Sequence, residues 1–226
     1  MTWANLAFLH WPMPQDALRS KLPRGLELDT HDDTAWLGIT PFEMRDVHVT
    51  GMPRIPTATN FAELNVRTYV RHAGRAGVYF FSLDAASLLA VTTARSVTGL
   101  PYYHARMSAR GQDGEILFAS ERRAARAPKA SLRARYAPTG DVYRSEPGSL
   151  EHFLTERYSL FVDRASSITR LDIEHAPWPL QDGSAEVSVN TMAQAAGLAL
   201  PDQKPHVLFS RQLQVVAHWP KSADSS

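Results

Sequence analysis

The 226-residue sequence contains no cysteine, which excludes disulfides, thiolate metal sites and cysteine nucleophiles. Lysine is scarce as well, with four lysines against twenty arginines. Lys21, Lys129, Lys204 and Lys221 lie next to prolines, in loops or in the tail, and none lies in an apolar run that would desolvate its amine. We therefore expect no lysine nucleophile activated by a lowered pKa.

The sequence also lacks any run of about 20 apolar residues, the length that a membrane-spanning helix needs. Its apolar start, MTWANLAFLHWPMP, has no basic segment and contains Pro12 and Pro14, so it predicts neither a signal peptide nor a span. The net charge is +1, which creates no overall attraction for nucleic acid or acidic lipid. We therefore expect a cytoplasmic protein that binds no membrane and no nucleic acid.

One basic segment stands against that expectation. Residues 121–136 hold six basic residues and one acid, a pattern that could contact nucleic acid. The segment lacks the interleaved aromatic residues of a base-stacking surface. A solvated connection between strands is the favoured interpretation.

The common motifs for metals, phosphates and nucleophilic serines are missing. Nine histidines are present, but no pair has the spacing of an H-E-x-x-H zinc helix. The segments GLPYY and RAGRAG do not have the spacing of a phosphate-binding loop, and G-x-S-x-G does not occur. We expect no metal and no cofactor, although histidines brought together by folding leave a metal site open.

Strand patterns outnumber helical ones along the chain. The predicted strands are 35–44, 61–70, 78–83, 102–110, 115–123, 131–138, 168–176 and 206–219. The predicted helices are 14–22, 85–97 capped by Asp84, 149–161 capped by Gly148 or Ser149, and 184–197. Gly99 and Pro101 predict the end of the second helix, and residues 45–60 predict a loop.

Most of these strands are joined by short turns, which favours an antiparallel sheet. A sheet of about eight or nine antiparallel strands usually curls or closes, because closure removes exposed edges. The expected fold is therefore α+β, with a barrel-like and mostly antiparallel sheet. We predict a single domain over residues 1–221, followed by a disordered tail at 222–226.

Strand 61–70 has two chemically different faces, because successive side chains of a strand point to opposite sides. One face carries Phe61, Glu63, Asn65, Arg67 and Tyr69, whereas the other is mainly apolar. Alternation alone favours a solvated polar face. The alternative is that the polar face lines a barrel interior, where its groups converge on a polar ligand.

Strand 102–110 repeats this mixture of polar and aromatic residues. Tyr102, His104 and Arg106 lie on one face, whereas Tyr103 lies on the face that looks like core. Two strands with such similar faces predict a shared pocket. Arg95, at the end of the preceding helix, could add positive charge at the mouth of this pocket, or it could simply offset the helix dipole.

Several segments together resemble the YqjF-like family of uncharacterised bacterial proteins, also named domain of unknown function 2071. They are FLHWPMPQDALRSKLPRGLELDT, AWLGITPFEM, FAELNVRTYV, GVYFFSLDAASLLAVTTAR, GLPYYHARM, SLEHFLTERY and IEHAPWPL. The resemblance covers nearly the whole chain. It implies a distant relationship to the acetoacetate decarboxylase superfamily, and thus a cone-shaped antiparallel β-barrel flanked by helices. In such a fold the polar face of strand 61–70 would line the barrel interior.

The superfamily resemblance also implies that the imine chemistry is lost. Glu63 stands for the glutamate of a strand, and Ala94-Arg95-Ser96 stands for a Gly-Arg-Glu segment. Gly99-Leu100-Pro101-Tyr102-Tyr103 stands for Gly-x-Pro-Lys-Lys. The Schiff-base lysine and its neighbour are thus both replaced by tyrosine, which cannot form an imine.

Three functions remain compatible with these features. The preferred one is a barrel that binds a small polar or carboxylate-bearing molecule through Asn65, Arg67, Tyr69, Arg95 and Arg106. The second is an enzyme of lyase, isomerase or hydrolase type, with acid–base candidates Glu63, Tyr102, Tyr103 and His104. The third is an interaction protein with a vestigial pocket, because small barrels usually pack their interior. The ligand, catalysis and the oligomeric state, a homo-oligomer included, stay open.

Overall fold

The computed structural model describes residues 1–47, 59–164 and 167–224, which form fourteen strands and four short helices. The strands are β1 (Thr2–Met13), β2 (Glu27–Leu28), β3 (Ala35–Arg45), β4 (Phe61–His72), β5 (Arg75–Ala85), β6 (Tyr102–Gln112), β7 (Glu115–Arg122), β8 (Ser131–Pro138), β9 (Ser159–Arg164), β10 (Ser167–Glu174), β11 (Gln181–Asn190), β12 (His206–Gln214), β13 (Val216–Ala217) and β14 (Lys221–Ser222). The helices are α1 (Gln15–Arg19), α2 (Leu88–Thr98), α3 (Leu150–Thr155) and α4 (Met192–Ala195).

Nine of the strands form a closed barrel. They pair in the order β5-β6-β7-β8-β11-β12-β1-β3-β4, and β4 pairs with β5 to close the ring. The β5–β6 pair is parallel and is connected through α2, whereas the other pairs of the ring are antiparallel. Strands β9, β10, β13 and β14 extend the sheet from β5, and β2 adds to β4. The predicted α+β fold on a mostly antiparallel barrel is confirmed.

The largest apolar core lies inside this ring, because all nine strands contribute side chains to it. On β7 and β8 the buried core residues alternate with residues that are more open to solvent, as expected for a barrel wall. On β4 the core residues are Ala62, Leu64 and Val66. The alternate row of β4, which begins at Phe61, therefore points outward from the ring.

A second layer covers the outer surface of β1, β3, β4 and β5. It consists of α3, β9, β10 and residues 175–180. Leu154 at the end of α3 packs in one apolar cluster with Tyr69 and Val78, and Trp178 packs against Phe8. Strand β4 is thus buried on both faces. Its apolar side chains face the barrel core, and its polar side chains face the second layer rather than solvent.

The start of α2 differs from the prediction. Asp84 does not cap this helix, because it belongs to β5 and its carboxylate binds the Arg122 guanidinium at 2.6 and 2.7 Å. The N-cap is Ser87, whose hydroxyl accepts the Ala90 backbone N–H at 3.2 Å. Of the residues predicted for the apolar side of the helix, Leu88 and Leu89 are exposed, whereas Val91 is buried.

The end of α2 agrees with the prediction. Gly99 follows the helix in the left-handed conformation, with φ 74°, and its backbone N–H donates to the Arg95 carbonyl. This conformation suits glycine because it has no Cβ. Pro101 then leads into β6.

The helix predicted at 184–197 is wrong over most of its length. Residues Gln181–Asn190 form β11, and only Met192–Ala195 are helical. Strand β11 pairs with β8 on one side and with β12 on the other, so barrel closure supplies its backbone hydrogen bonds. The alternation in AEVSVN was the local signal for this strand.

Other predicted elements also differ from those in the structure. The helix predicted at 149–161 stops at Thr155, because residues 159–164 pair with β10 and β5 as β9. The apolar start of the chain, which is not among the predicted strands, forms β1 of the barrel. Most of the loop predicted at 45–60 lies outside the described residues. In the predicted tail, Ser222 pairs with β10 and Ala223 N–H donates to the Ile168 carbonyl.

Candidate functional site

The polar row of β4 is enclosed between the barrel wall and the second layer. Glu63, Asn65 and Arg67 are only 3%, 7% and 8% exposed, and Tyr69 is fully buried. The row is therefore neither solvated, as alternation alone favoured, nor inside the barrel, as the family resemblance implied. We use the name covered face for this row together with the neighbouring side chains His10 on β1, Thr40 on β3 and Tyr102 on β6.

Strand register brings the members of the covered face together. His10 pairs with Gly38, and Gly38 pairs with Arg67, so a residue without a side chain separates the imidazole from the guanidinium. A Cβ at Gly38 would lie 3.2 Å from the His10 ring and 3.4 Å from Arg67 Cγ, which is close contact. Thr40 pairs with Asn65 two residues further along the same face.

A chain of hydrogen bonds links three of these side chains to α3. Arg67 Nη2 donates to the Leu154 carbonyl at 3.1 Å, and the Tyr69 hydroxyl donates to the same oxygen at 2.9 Å. The His10 Nε2 atom lies 2.7 Å from the Tyr69 hydroxyl. Burial, and then the nearby Arg67 and His206, lower the pKa of His10 well below its ordinary value. The imidazole is therefore neutral.

Four buried polar atoms of the covered face have no hydrogen-bond partner among the described residues. They are Nδ1 of His10, Oγ1 of Thr40, Oδ1 of Asn65 and Nε of Arg67. Each unmade hydrogen bond of this kind costs about 1–3 kcal/mol. These four atoms therefore concentrate unmet hydrogen-bonding capacity on one face of the sheet.

Arg67 is a buried cation that forms no ion pair in the described ranges 1–47, 59–164 and 167–224. The three other buried arginines each contact an aspartate: Arg122 with Asp84 at 2.6 Å, Arg157 with Asp29 at 2.7 Å, and Arg170 with Asp172 at 3.1 Å. The guanidinium of Arg67 instead lies 5.4 Å from the centre of the Phe8 ring. Among the described residues, no carboxylate therefore compensates the charge of Arg67, unlike the charges of Arg122, Arg157 and Arg170.

Glu63 and Tyr102 meet at another part of the covered face. The Tyr102 hydroxyl lies 3.4 and 3.5 Å from the two carboxyl oxygens of Glu63. Burial raises the pKa of Glu63 to about 8, the contact with Tyr102 opposes this rise, and Asp84 adds to it. Burial and the adjacent Glu63 raise the pKa of Tyr102 well above its ordinary value. A carboxyl group that titrates near neutral pH thus contacts a phenol that stays protonated.

The other predicted site residues lie apart from this contact. Tyr103 shares the opposite face with Asp84 and lies under Arg122, whose guanidinium is 4.2 Å from the centre of the phenol ring. His104 is half-buried, and its backbone pairs with Ala85. Arg95 and Arg106 are exposed. The two tyrosines of GLPYY therefore face different environments.

Sequence reasoning missed His10 and Thr40. His10 is a single titratable residue within the apolar run FLHWPM, and that isolation was the available signal. Its partner Tyr69 lies 59 positions away, so the pairing itself has no local signature. Thr40 gave no functional signal in the sequence, because threonine is common in strands whatever its role.

The structure also locates the groups considered for other chemistry. All four lysines are exposed. Among the described residues, no three histidine, aspartate or glutamate side chains form a group that could hold a metal ion. Within the same ranges, no helix has the length and apolar character needed to cross a membrane.

Two surface grooves lie away from the covered face. One, of about 490 Å³, lies on the outer wall of the barrel and is lined by residues that include Arg110, Leu117 and Arg133. The other, of about 640 Å³, lies between Met1 and Val216. Both grooves are open to solvent, whereas the four unpartnered atoms of the covered face are buried.

Comparison with known proteins gives a family and a fold. Residues 1–214 match domain of unknown function 2071, described as an uncharacterised conserved protein. The chain is 40% identical over 219 residues to the uncharacterised protein YqjF of Bacillus subtilis (strain 168), which covers 97% of this chain and 89% of YqjF.

Similar solved structures have much lower sequence identity. The enduracididine biosynthesis enzyme MppR with HEPES buffer bound has a TM-score of 0.66 and 13% identity, over 98% of this chain and 86% of MppR. MppR complexed with the condensation product of pyruvate and imidazole 4-carboxaldehyde has a TM-score of 0.65 and 13% identity, over 99% and 89%. Acetoacetate decarboxylase from Legionella pneumophila has a TM-score of 0.64 and 14% identity, over 99% and 87%.

These structures share the barrel architecture with this chain, and at such identities the likeness concerns the fold. The predicted resemblance to the YqjF-like family is confirmed, and so is the expected acetoacetate decarboxylase-like fold. With a family match over residues 1–214 and 40% identity to YqjF, the chain belongs to the YqjF-like family, domain of unknown function 2071, and has an acetoacetate decarboxylase-like fold.

Proposed function

We propose that this protein binds a small anionic molecule on the covered face, with Arg67 as the charge partner. The observation that carries this proposal is the burial of the Arg67 guanidinium, 8% exposed, without an acidic partner in the described part of the chain. A buried charge costs several kcal/mol unless it is paired. A bound carboxylate would compensate the charge and accept the unpartnered Nε–H.

Neighbouring polar groups support a ligand of limited size. Thr40 and Asn65, which pair with each other two positions from Gly38 and Arg67, offer unpartnered oxygens. Apolar side chains of the second layer, such as Leu154, enclose the same face. Few polar groups in an otherwise apolar enclosure are typical of small-molecule sites.

Ligand entry requires movement of the second layer, because the unpartnered atoms are out of contact with solvent. The last turn of α3 is the element to move, since the Leu154 carbonyl accepts hydrogen bonds from both Arg67 and Tyr69. The observed affinity would then be reduced by the fraction of molecules in the open state.

MppR lends fold-level support, since one of its structures contains the condensation product of pyruvate and imidazole 4-carboxaldehyde. In this chain the chemistry would proceed without an imine. The sequence resemblance aligns Tyr102 and Tyr103 with lysines of the superfamily pattern, and the four lysines of the chain are exposed. Tyrosine forms no Schiff base.

The test is a binding screen with small carboxylates, phosphates and sulfonates, followed by calorimetry. A ligand that binds only the folded state raises its unfolding temperature by mass action. We expect at least one carboxylate to do so for the wild type and for Arg106→Met, which removes an exposed arginine, but not for Arg67→Met. Equal binding by Arg67→Met, or binding of none of these anions, would contradict the proposal and favour an interaction protein with a vestigial pocket.

A second candidate function is proton transfer by Glu63 and Tyr102. The supporting observation is the contact between these residues, with the pKa of Glu63 raised to about 8, because a catalytic acid or base works best when its pKa lies near the working pH. Proton NMR in D₂O would detect exchange of the C–H hydrogens next to the carboxyl or carbonyl group of a bound acid.

We expect such exchange to be lost in Glu63→Gln and reduced in Tyr102→Phe. Tyr103→Phe is the matched control, because Tyr103 packs against Arg122 on the opposite face. Exchange at the same rate in all three variants, or none in the wild type with a bound acid, would rule this candidate out.

A further inference from the structure

The outer surface of β6, β7, β8 and β11 carries a groove of about 490 Å³ that is open to solvent. Among the side chains that line it are Arg110 on β6, Leu117 on β7 and Arg133 on β8. All three are exposed, and Leu117 is 36% exposed although it is apolar. Unlike the outer surface of β4, this part of the barrel wall is therefore accessible to another molecule.

The groove contains part of the basic segment 121–136. Three arginines of that segment contact a carboxylate of the chain, and these are Arg122, Arg123 and Arg135. Arg133 lines the groove instead, and so does Arg110 from the neighbouring part of β6. Within the described part of the chain, neither Arg133 nor Arg110 forms an ion pair. The groove thus holds two positive charges that the described residues do not compensate.

Strand register places Leu117 between these two arginines. Arg110 pairs directly with Leu117 across β6 and β7. Leu117 pairs with Arg135 on β8, and Arg133 lies two positions before Arg135 on the same face. The backbones of Arg110 and Arg133 are therefore two strand spacings and two residues apart, or about 12 Å. The groove presents a positive charge, an apolar surface and a second positive charge in that order.

The charges of this surface indicate the class of partner that it fits. Glu115 and Glu186 contact Arg135, so the charge excess of the groove is positive. The same face of a second copy would bring the same excess and would be repelled. A nucleic acid backbone would meet these two acids, and Phe118, the aromatic residue that lines the groove, is buried in the core and cannot stack on a base. A small metabolite needs more enclosure than an open groove provides.

We propose that this groove binds an extended acidic segment of a partner protein, with carboxylates on Arg110 and Arg133 and an apolar side chain between them on Leu117. In an extended chain, alternate side chains point to the same side, and positions i and i+4 lie about 13 Å apart. The complementary pattern is therefore acid-x-apolar-x-acid. Arginine suits this role because its guanidinium binds carboxylates bidentately. The inference is independent of the ligand of the covered face.

The test measures fluorescence anisotropy of labelled peptides with the full chain. The probe contains Glu-Ser-Leu-Ser-Glu between Gly-Ser flanks. One control peptide has glutamine in place of both glutamates, and another has the same composition with the two glutamates adjacent. We expect the probe to bind at least about fivefold more tightly than either control, which corresponds to two exposed ion pairs. Its affinity should fall as salt is added, because exposed charges are screened.

Substitutions in the groove test the assigned residues. Arg110→Gln and Arg133→Gln should each weaken binding of the probe about two- to fivefold, and the double variant should weaken it about fivefold or more. Leu117→Ser should weaken it as well, because the apolar contact is lost. Arg75→Gln is the matched control, since it removes an exposed arginine at the start of β5, outside the groove. An unchanged unfolding temperature would show that each variant is folded.

Four outcomes would overturn the inference. They are no binding of the probe, equal affinity for the probe and its control peptides, equal affinity of the wild type and the double variant, and tighter binding of an oligo-dT strand that the double variant loses. The last outcome would assign the groove to nucleic acid. None of them bears on anion binding at Arg67, which lies on the covered face, so the two proposals fail separately.

Discussion

Arg67 shows what a buried charge implies when no described residue of opposite charge pairs with it. The other buried arginines neutralise aspartates within the chain, so each is explained by the fold itself. Arg67 is held by the Leu154 carbonyl and by ring contacts, neither of which carries an opposite charge. A residue that is unfavourable for stability in the free protein is a common feature of a binding site.

This reasoning predicts opposite effects for two arginine variants in the absence of ligand. Arg67→Met should leave stability unchanged or raise it by about 1–4 kcal/mol, because it removes an unpaired buried charge. Arg122→Met should lower stability by about 3–5 kcal/mol, because Asp84 would remain buried without its partner. Urea unfolding measures both. A loss for Arg67→Met as large as that for Arg122→Met would assign Arg67 a structural role.

The raised pKa of Glu63 predicts that the stability of the protein depends on pH. Its pKa rises from 4.5 to about 8 on folding, so between these values the folded state holds a proton that the unfolded state has released. Unfolding then becomes more favourable as pH increases. The wild type should therefore lose stability relative to Glu63→Gln from about pH 4.5 to 8, and the difference should level off above that.

Urea unfolding of both proteins at several pH values measures this difference. A stability gap between the wild type and Glu63→Gln that stays constant across the range would mean that Glu63 ionises alike in the folded and unfolded states.

At the scale of elements, close approach of β9 to β5 holds the second layer over the covered face. Gly77 on β5 allows this approach, since a Cβ there would overlap the Ser159 carbonyl and lie 2.7 Å from the Phe161 ring. The pairing of Val78 with Leu160 and of Tyr79 with Phe161 begins directly after this glycine. The enclosure of the site therefore depends on one residue without a side chain.

Substitutions of two strand glycines test this dependence. Gly77→Ala should lower the free energy of unfolding by about 1–3 kcal/mol or more through overpacking. Gly111→Ala on β6 is the control, because its added Cβ meets no atom within 4 Å, and its effect should stay within about 0.5 kcal/mol. Denaturant unfolding measures both variants. Equal stability of the two would show that β9 can shift without loss.

At the scale of the whole molecule, the barrel fold is shared with solved structures of enzymes at 13–14% sequence identity. The closed ring encloses an apolar core, and the covered face lies between its outer wall and the second layer. A fold can thus be retained while the groups it carries change.

This arrangement predicts the outcome of imine trapping. Sodium borohydride added with acetoacetate or pyruvate should leave the protein mass unchanged, because all four lysines are exposed and none is desolvated in the way that activates an amine nucleophile. Intact-mass spectrometry with peptide mapping measures this. A reduced adduct on Lys21, Lys129, Lys204 or Lys221 would contradict the proposal of chemistry without an imine.

Predictions that depended on local interactions were correct, whereas those that depended on contacts between distant residues were not. Strand 61–70 and the break at Gly99 were predicted correctly, because side-chain alternation and left-handed glycine geometry are local properties. The helix at 184–197 was wrong, because β8 and β12 pair with that segment from distant parts of the chain. The prediction that Asp84 caps a helix was wrong, because its ion pair with Arg122 spans 38 positions and has no local signal.

By itself, the sequence determined that Glu63, Asn65, Arg67 and Tyr69 share one face of a strand, and that tyrosines follow Gly99-Leu100-Pro101. Tertiary structure alone decided that this face is covered by α3 and β9, that His10 meets Tyr69, and that no aspartate or glutamate of the described ranges pairs with Arg67. The physical reason is that backbone geometry fixes the direction of a side chain relative to its neighbours, whereas its surroundings depend on which distant segments pack against it.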